Sequence, residues 1–339
     1  MLSQLPIELI NMIVDYLDIA DAYNMLSSCS ILWKYRTEII YRAPVWYFDI
    51  MNLSHSDKFV QVKYDNMSLD PVAFPKLGCR IKHLYYHHYT NLYLHYWNHI
   101  THLDMANYFD DEIKGVLPPG LKYLNLGHTF DRPIGHQGVK YIPDSVQKLI
   151  FGFSFNQPIQ GLLPQSLLYL EFGYNFNQDI GDNQGSYLPD GIEYVDLGIE
   201  FNKTLYLPCG LKYLTLSYVF NQDIKGQLPD GLIYLDTKYT FNQPVGELYQ
   251  SFLPAGLQTL KLGYHFNQCL EYNNYSYIPA GVKVLHIGKY FDQLLNIEHL
   301  HQLTELKIGS KFDRYFIIPA SVQTLALGSK FKPNSPDTA

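Results

Sequence analysis

Between Leu117 and Ile134 the apolar and special positions run Leu-Pro-x-Gly-Leu-x-x-Leu-x-Leu-Gly-x-x-Phe-Asp-x-x-Ile, and this frame returns along most of the chain with conservative changes. Its Phe falls at Phe109, Phe130, Phe155, Phe176, Phe201, Phe220, Phe241, Phe266, Phe291, Phe312 and Phe331, at intervals of 19, 21 or 25 residues. Those are solenoid periods: a single coil cannot bury its own apolar face, and stacked coils can. Within the frame, Leu124 and Leu126 are separated by one residue, the period of a strand buried on one face, and Leu121 precedes them. The same trio recurs as Val146, Leu149, Phe151, then Leu167, Leu170, Phe172, then Ile192, Val195, Leu197, then Leu211, Leu214, Leu216. The pattern predicts one short inward-facing strand per coil. A glycine follows the strand at Gly127, Gly152, Gly173, Gly198, Gly263, Gly288, Gly309 and Gly328, where a positive φ or a close backbone approach excludes a Cβ. Ser217 and Lys238 occupy this place in two coils, so those turns are expected to be built differently.

The Phe of each frame re-enters the interior and predicts an aromatic ladder, each ring removing apolar surface worth roughly 1.5–3 kcal/mol from water. After it stands Asn156, Asn177, Asn202, Asn221, Asn242 or Asn267, or else Asp110, Asp131, Asp292 or Asp313. A short amide or carboxylate stacked coil on coil satisfies backbone donors that would otherwise be buried unpaired. A calcium-binding solenoid has a similar recurrence, but neutral Asn dominates the middle of this array, which favours the structural reading. Length changes fall between the frame's Ile and the next Leu-Pro, as at Gly181 to Tyr187 and Glu271 to Tyr277, marking that connection as a surface loop.

Residues 1 to 45 lack the frame. Leu5, Leu9, Ile10, Ile13, Val14 and Leu17 have helical spacing behind Pro6, predicting a helix from about Pro6 to Leu17. Asp18 and Asp21 are placed to cap a second helix through Met25 to Ser28, and Ser30 a third containing Leu32, Trp33 and Ile39. The full chain has 339 residues, 47% hydrophobic and 17% charged, and folds rather than staying disordered. Its net charge of −7 disfavours nucleic acid and anionic membrane surfaces as partners. Cys29, Cys79, Cys209 and Cys269 form no CxxC pair, which suits reduced thiols and a cytoplasmic or nuclear setting. No apolar run is long enough to span a bilayer, and Glu8 and Asp15 interrupt what a signal peptide would need.

The segments Phe155-Asn156-Gln157-Pro158-Ile159, Phe176-Asn177-Gln178-Asp179-Ile180 and Phe241-Asn242-Gln243-Pro244-Val245, each fed by a Leu-Pro, resemble FNIP repeats. These are a variety of leucine-rich repeat found mainly in slime moulds and giant amoeba viruses. The resemblance runs from about Pro75 to Phe331 and weakens at both ends: the coils at Ile81 and Ile100 lack the Leu-Pro, and Phe331 lacks its Ile. The opening Leu5-Pro6-x-Glu8-Leu9, with Ile13, Leu17, Leu26, Cys29 and Trp33 following, resembles an F-box.

Together they imply a leucine-rich-repeat-like repeat solenoid, with a parallel β-sheet on one face and a small N-terminal three-helix F-box domain. Expected boundaries are an F-box-like domain over 1–45, a transition segment over 46–78, the repeats over 79–332 and a flexible tail over 333–339. In F-box proteins the domain docks a Skp1-type adaptor and, through it, a cullin-RING ubiquitin ligase, which would belong to the host if the chain is viral. Carried over by position, Leu5, Pro6, Glu8, Leu9 and Ile13 are the adaptor contacts, whereas Leu26 and Trp33 belong mainly to the core. The resemblance implies a substrate-recognition subunit that does no chemistry itself. The competing reading is a non-ligase protein-interaction scaffold whose N-terminal helices only cap the solenoid.

His83, His87, His88, His95, His99 and His102 crowd one region, but no Cys or acid falls at ligand spacing, so the expectation is a polar face and no metal. Neither a nucleophile elbow, a phosphate loop nor an HExxH is present, so no enzyme activity and no cofactor are expected. More informative are the outward strand positions. Tyr169, Tyr194, Tyr213 and Tyr234 form one file, with Tyr123 earlier; Glu171, Asp196 and Asp236 form the next, followed by Lys261, His286 and Lys307. Tyrosine offers rigid amphipathic contact area, although strand propensity also favours it. Tyr169, Glu171, Tyr194, Asp196, Tyr213, Tyr234 and Asp236 are the candidate substrate surface, in a field running from acidic to basic along the coils that would draw a basic stretch of a protein partner onto the central ones.

Overall fold

The computed structural model describes residues 99–329 continuously and, before them, residues 10, 12–14, 17, 19–27, 41, 45–46, 58–64 and 82–86. Leu5, Pro6, Glu8, Leu9, Trp33, the third expected helix, Phe331 and the tail lie outside the described residues. The chain divides into two compact units, residues 1–135 with 141–152, and residues 136–140 with 153–339.

In the first unit, Met12–Val14 is helical and a helix spans Ile19–Ser27. Asp21 stands in the first turn of that helix, and Leu26 is fully buried, in keeping with a core role. Six parallel strands follow: Val45–Trp46, Gln61–Tyr64, His83–Tyr86, His102–Met105, Tyr123–Asn125 and Lys148–Ile150. Parallel pairing thus reaches back into residues that the sequence alone leaves as a transition segment, because those strands lack the Leu-Pro and Phe that mark later coils.

The second unit contains eight strands in the parallel order Tyr169–Glu171, Tyr194–Asp196, Tyr213–Thr215, Tyr234–Asp236, Thr259–Leu262, Val284–Ile287, Glu305–Ile308 and Thr324–Leu327. Each strand is a few residues long because one coil offers only that much extended chain before it must turn, and hydrogen bonds to the neighbouring coils satisfy its backbone. Register sets like over like: Tyr194 pairs with Tyr169, Val195 with Leu170 and Asp196 with Glu171. The inward trios Leu167, Leu170, Phe172 and Ile192, Val195, Leu197 are buried, as the period-2 pattern requires. Three of the longer connections fold into two-stranded antiparallel hairpins: Gly181–Asp182 with Gly185–Ser186, Gly246–Glu247 with Gln250–Ser251, and Glu271–Tyr272 with Tyr275–Ser276.

The phenylalanine ladder is present in both units. Phe109 and Phe130 stack at 5.9 Å in the first. In the second, Phe155 to Phe312 form an unbroken file with centroids 5.8 to 6.3 Å apart. Beside it runs the amide ladder, in which each backbone N–H donates to the side-chain oxygen one coil earlier: Asn177 to Asn156 at 3.0 Å, Asn202 to Asn177 at 3.1 Å, Asn242 to Asn221 at 2.9 Å and Asp292 to Asn267 at 2.8 Å. These amides satisfy one backbone donor per coil.

Close approach explains the glycine position, and positive φ adds to it in two coils. A Cβ on Gly127 or Gly198 would lie 2.1 Å from the Ala106 or 1.9 Å from the Gly173 carbonyl oxygen, and these two also have φ of 75° and 72°, whereas Gly152, Gly263, Gly288, Gly309 and Gly328 have ordinary φ and are required by close approach alone. A Cβ on Gly288 would lie 1.8 Å from the Gly263 carbonyl oxygen. The Lys238 turn is not built differently, contrary to expectation: Lys238 itself adopts φ 54°, with its N–H bonded to Asp236 Oδ1 at 2.9 Å. At Ser217 the turn does change, the buried hydroxyl donating to the Phe201 carbonyl.

Candidate functional site

The outward strand positions of the second unit carry the predicted tyrosine file. Tyr169 and Tyr194 stack at 4.2 Å, 2° from parallel, Tyr194 and Tyr213 lie 6.5 Å apart, and Tyr213 and Tyr234 lie 6.3 Å apart. Parallel pairing one coil apart forces these rings together, and two of the hydroxyls reach an acid on their own strand. Tyr169 donates to Glu171 Oε2 at 2.9 Å, and Tyr234 to Asp236 Oδ2 at 3.4 Å. Burial and the Glu171 carboxylate push the Tyr169 hydroxyl well above its ordinary range.

The second file is not a freely exposed row. Asp196 Oδ1 accepts from the Gly198 N–H at 2.9 Å, as Asn125 Oδ1 does from Gly127 at 3.1 Å and Asp236 Oδ1 from Lys238 at 2.9 Å, so in these three coils the position caps the turn that follows the strand. Asn125 also donates to Asp104 at 3.1 Å, so it is no idle open-face position. Thr215, between Asp196 and Asp236 in register, is buried.

The expected passage from acid to base is also altered. Lys261 lies 3.9 Å from Asp236, with its Nζ 3.0 Å from the Tyr234 hydroxyl and 5.1 Å from the ring centroid. Glu305 takes Lys307 at 2.5 Å and His286 at 2.9 Å, and the hydrogen bonds from these two hold its carboxyl below the usual range. The basic end is therefore largely neutralised from within, whereas Glu171 and Asp196 have no ion pair among the described residues.

Burial pushes the Asp196 carboxyl up to about 6, with Glu171 and Asp236 adding repulsion, against the Gly198 N–H and Lys238, which oppose the shift. The native state thus holds this proton more tightly than the unfolded chain, and the group's contribution to stability falls as pH rises from about 4 through 6. Asp196→Asn keeps the cap, as Asn125 shows, and removes the charge. It is expected to stabilise the chain by up to roughly 2 kcal/mol at pH 7.5 and by almost nothing near pH 4, as read from urea midpoints at both pH values.

In the first unit the histidine region places His83 Nε2 at 2.6 Å from Asp104 Oδ2, while Tyr123 donates to Asp104 Oδ1 at 3.1 Å. Burial and that carboxylate push Tyr123 up to about 12. Among the described residues no His, Cys, Asp and Glu group is arranged to hold a metal.

Sequence reasoning missed a second aromatic file beside the strands. Phe153 stacks on Tyr174 at 4.5 Å, and past Ile199 a second run, Tyr218, Tyr239 and Tyr264, stacks at 6.1 and 4.7 Å. The signal was available: each of these residues directly follows the frame's glycine position. Of the expected adaptor contacts, only Ile13 is described; it is half-buried beside buried Ile10 and Val14, while Met12 is 57% exposed.

Against this geometry, the family model for the FNIP repeat matches residues 109–154, 136–175, 155–200 and 201–236, and that for the F-box domain matches residues 2–38. The coils over residues 109–236 are FNIP repeats, and an F-box match precedes them. The FNIP coils have the architecture of leucine-rich repeats: an internalin from Listeria monocytogenes superposes with a TM-score of 0.55 at 15% identity, covering 94% of this chain and 96% of that one. Similarity extends at lower TM-scores to CroV588, a circular leucine-rich-repeat protein (0.41, 22% identity, 82% of this chain), and to YopM from Yersinia enterocolitica (0.35, 18% identity, 79% of this chain and 68% of that one). The chain spans 57% of the length of CroV588. No curated protein sequence matches it significantly. Among the described residues, no helix is long and apolar enough to cross a membrane.

Proposed function

We propose that this chain is the substrate-recognition subunit of a Skp1–cullin–F-box ubiquitin ligase, acting in the cytoplasm or nucleus. The F-box docks a Skp1-type adaptor, and the FNIP strand face binds a target protein. The observation that carries this reading is the joining of an F-box over 2–38 to a repeat array whose strand face presents tyrosines and carboxylates. The exposed Met12 beside half-buried Ile13 is consistent with an apolar docking surface on the first helix. Leu5, Pro6, Glu8, Leu9 and Ile13 make the adaptor contacts in this reading. The chain does no chemistry itself; it raises the local concentration of substrate beside the ligase's charged E2, so binding geometry determines the outcome.

Leu5→Ala combined with Pro6→Ala is expected to abolish capture of purified Skp1 and to leave the unfolding midpoint of the repeats unchanged. Failure of the unaltered chain to capture any Skp1 homologue, where another F-box protein succeeds, would leave a scaffold capped by its N-terminal helices and end the ligase reading.

A further inference from the structure

The second unit contains its own example of what a tyrosine and carboxylate pair on the strand face accommodates. At Tyr234 and Asp236 the next coil delivers Lys261, whose ammonium meets hydroxyl, ring face and carboxylate together. A related contact recurs off the strands, where Lys289 Nζ sits 2.9 Å from the Tyr264 hydroxyl and 5.3 Å from its ring centroid. Register denies the same occupant to two equivalent pairs. The coil after Tyr169 and Glu171 supplies Tyr194 and Asp196, and the coil after those supplies Tyr213 and Thr215. The result is two carboxylates and two near-parallel rings with no ion pair to either carboxylate among the described residues.

The charge at Asp196 is not needed by the fold. Asn125 stands at the same place in its coil and caps Gly127 with a neutral amide, just as Asp196 caps Gly198. A carboxylate disfavoured first by burial and further by Glu171 and Asp236, with Lys238 only partly offsetting them, stands where an amide would serve, which is the pattern of a group retained for a ligand.

We propose that Glu171 and Asp196, with the stacked rings of Tyr169 and Tyr194, receive a lysine or arginine side chain of the substrate, in the arrangement that Lys261 adopts on Tyr234 and Asp236. The occupant is an extended basic segment of a protein. Phosphate-bearing partners are repelled by the same carboxylates. The inference rests on the reading that the strand face is the substrate surface, and it narrows that surface from seven residues to the coils of Tyr169 and Tyr194. Asp236 and Tyr234 already hold Lys261 and contribute at the rim.

The test uses the full chain and a fluorescein-labelled peptide of alternating Lys and Gly, with a Glu and Gly peptide as counterpart, read by fluorescence anisotropy at pH 7.5. The lysine peptide is expected to bind and the glutamate peptide not to. Glu171→Gln with Asp196→Asn should weaken the lysine peptide at least tenfold, and Tyr194→Ala should mainly speed dissociation. Asp190→Asn with Asp230→Asn removes the same formal charge from exposed positions and should change affinity less than twofold. Association should slow as salt rises. An unaltered urea midpoint for Tyr194→Ala, and one unaltered or raised for the Glu171 and Asp196 pair, keeps loss of fold out of the reading. Equal losses in the two double variants, binding of the glutamate peptide, or no binding of the lysine peptide each overturn the proposal. Capture of Skp1 is scored separately: if it fails while the lysine peptide behaves as expected, the ligase reading falls and the cation site stands, and the reverse outcome sinks the cation site alone.

Discussion

Phe176→Ala is expected to lower stability by about 3–5 kcal/mol, the range for a deleted core aromatic. Phe176 is fully buried, with Phe172 at 3.6 Å in its own coil and Phe155 and Phe201 at 6.2 Å in the coils on either side. Those neighbours are held by parallel strand pairing and by the Asn156, Asn177 and Asn202 rungs, so the walls of the new cavity cannot close in. Leu168→Ala is the matched control, an apolar truncation at a side chain 44% exposed, and should cost less than about 1 kcal/mol. Urea unfolding followed by circular dichroism separates them. A midpoint shift for Phe176 no larger than that for Leu168 would show that the ladder does not hold the coils together.

Gly288→Ala is expected to be comparably damaging although it adds a single methyl group. Its Cβ would stand 1.8 Å from the Gly263 carbonyl oxygen and 2.7 Å from Tyr264 Cα, both backbone atoms with no rotamer to adjust. The strands Thr259–Leu262 and Val284–Ile287 would have to separate, straining their ladder and the ring contact of Phe266 with Phe291 at 6.2 Å. A loss of about 3 kcal/mol or more follows from overpacking and broken pairing. Gly191→Ala gives the opposite expectation: a Cβ there meets nothing within 4 Å and its φ is ordinary, so the change should be neutral or slightly stabilising through the unfolded state. Equal midpoints for the two alanine variants would mean that the coils are not pressed together at the glycine position.

Much of the fold was legible in the chain because a solenoid encodes its architecture locally. The strand trio, the Phe and the Asn each act within one frame, and repetition turns a weak signal into a strong one. The sequence by itself therefore determined the coil, its inward face, the ring and amide ladders and the outward tyrosines. It also carried the F-box motif at residues whose main contacts lie outside the described structure. What it left open depends on how one coil meets the next. A glycine crowded by the neighbouring coil reads as Gly whether or not its φ is positive, and only the structure shows that Gly198 combines both where Gly288 has crowding alone. Lys238 and Asn125 show the same limit, since a lysine in a positive-φ turn and an amide committed to a cap have no distinctive letter. The candidate site is the clearest case. Glu171, Asp196 and Asp236 look equivalent along the chain, but the register of coils 19 to 25 residues apart brings Lys261 to Asp236 and, among the described residues, no ion pair to the other two. Tertiary structure decided which carboxylates were left without an ion pair, because neutralisation depends on distances between coils, and a sequence lists those residues without setting them side by side.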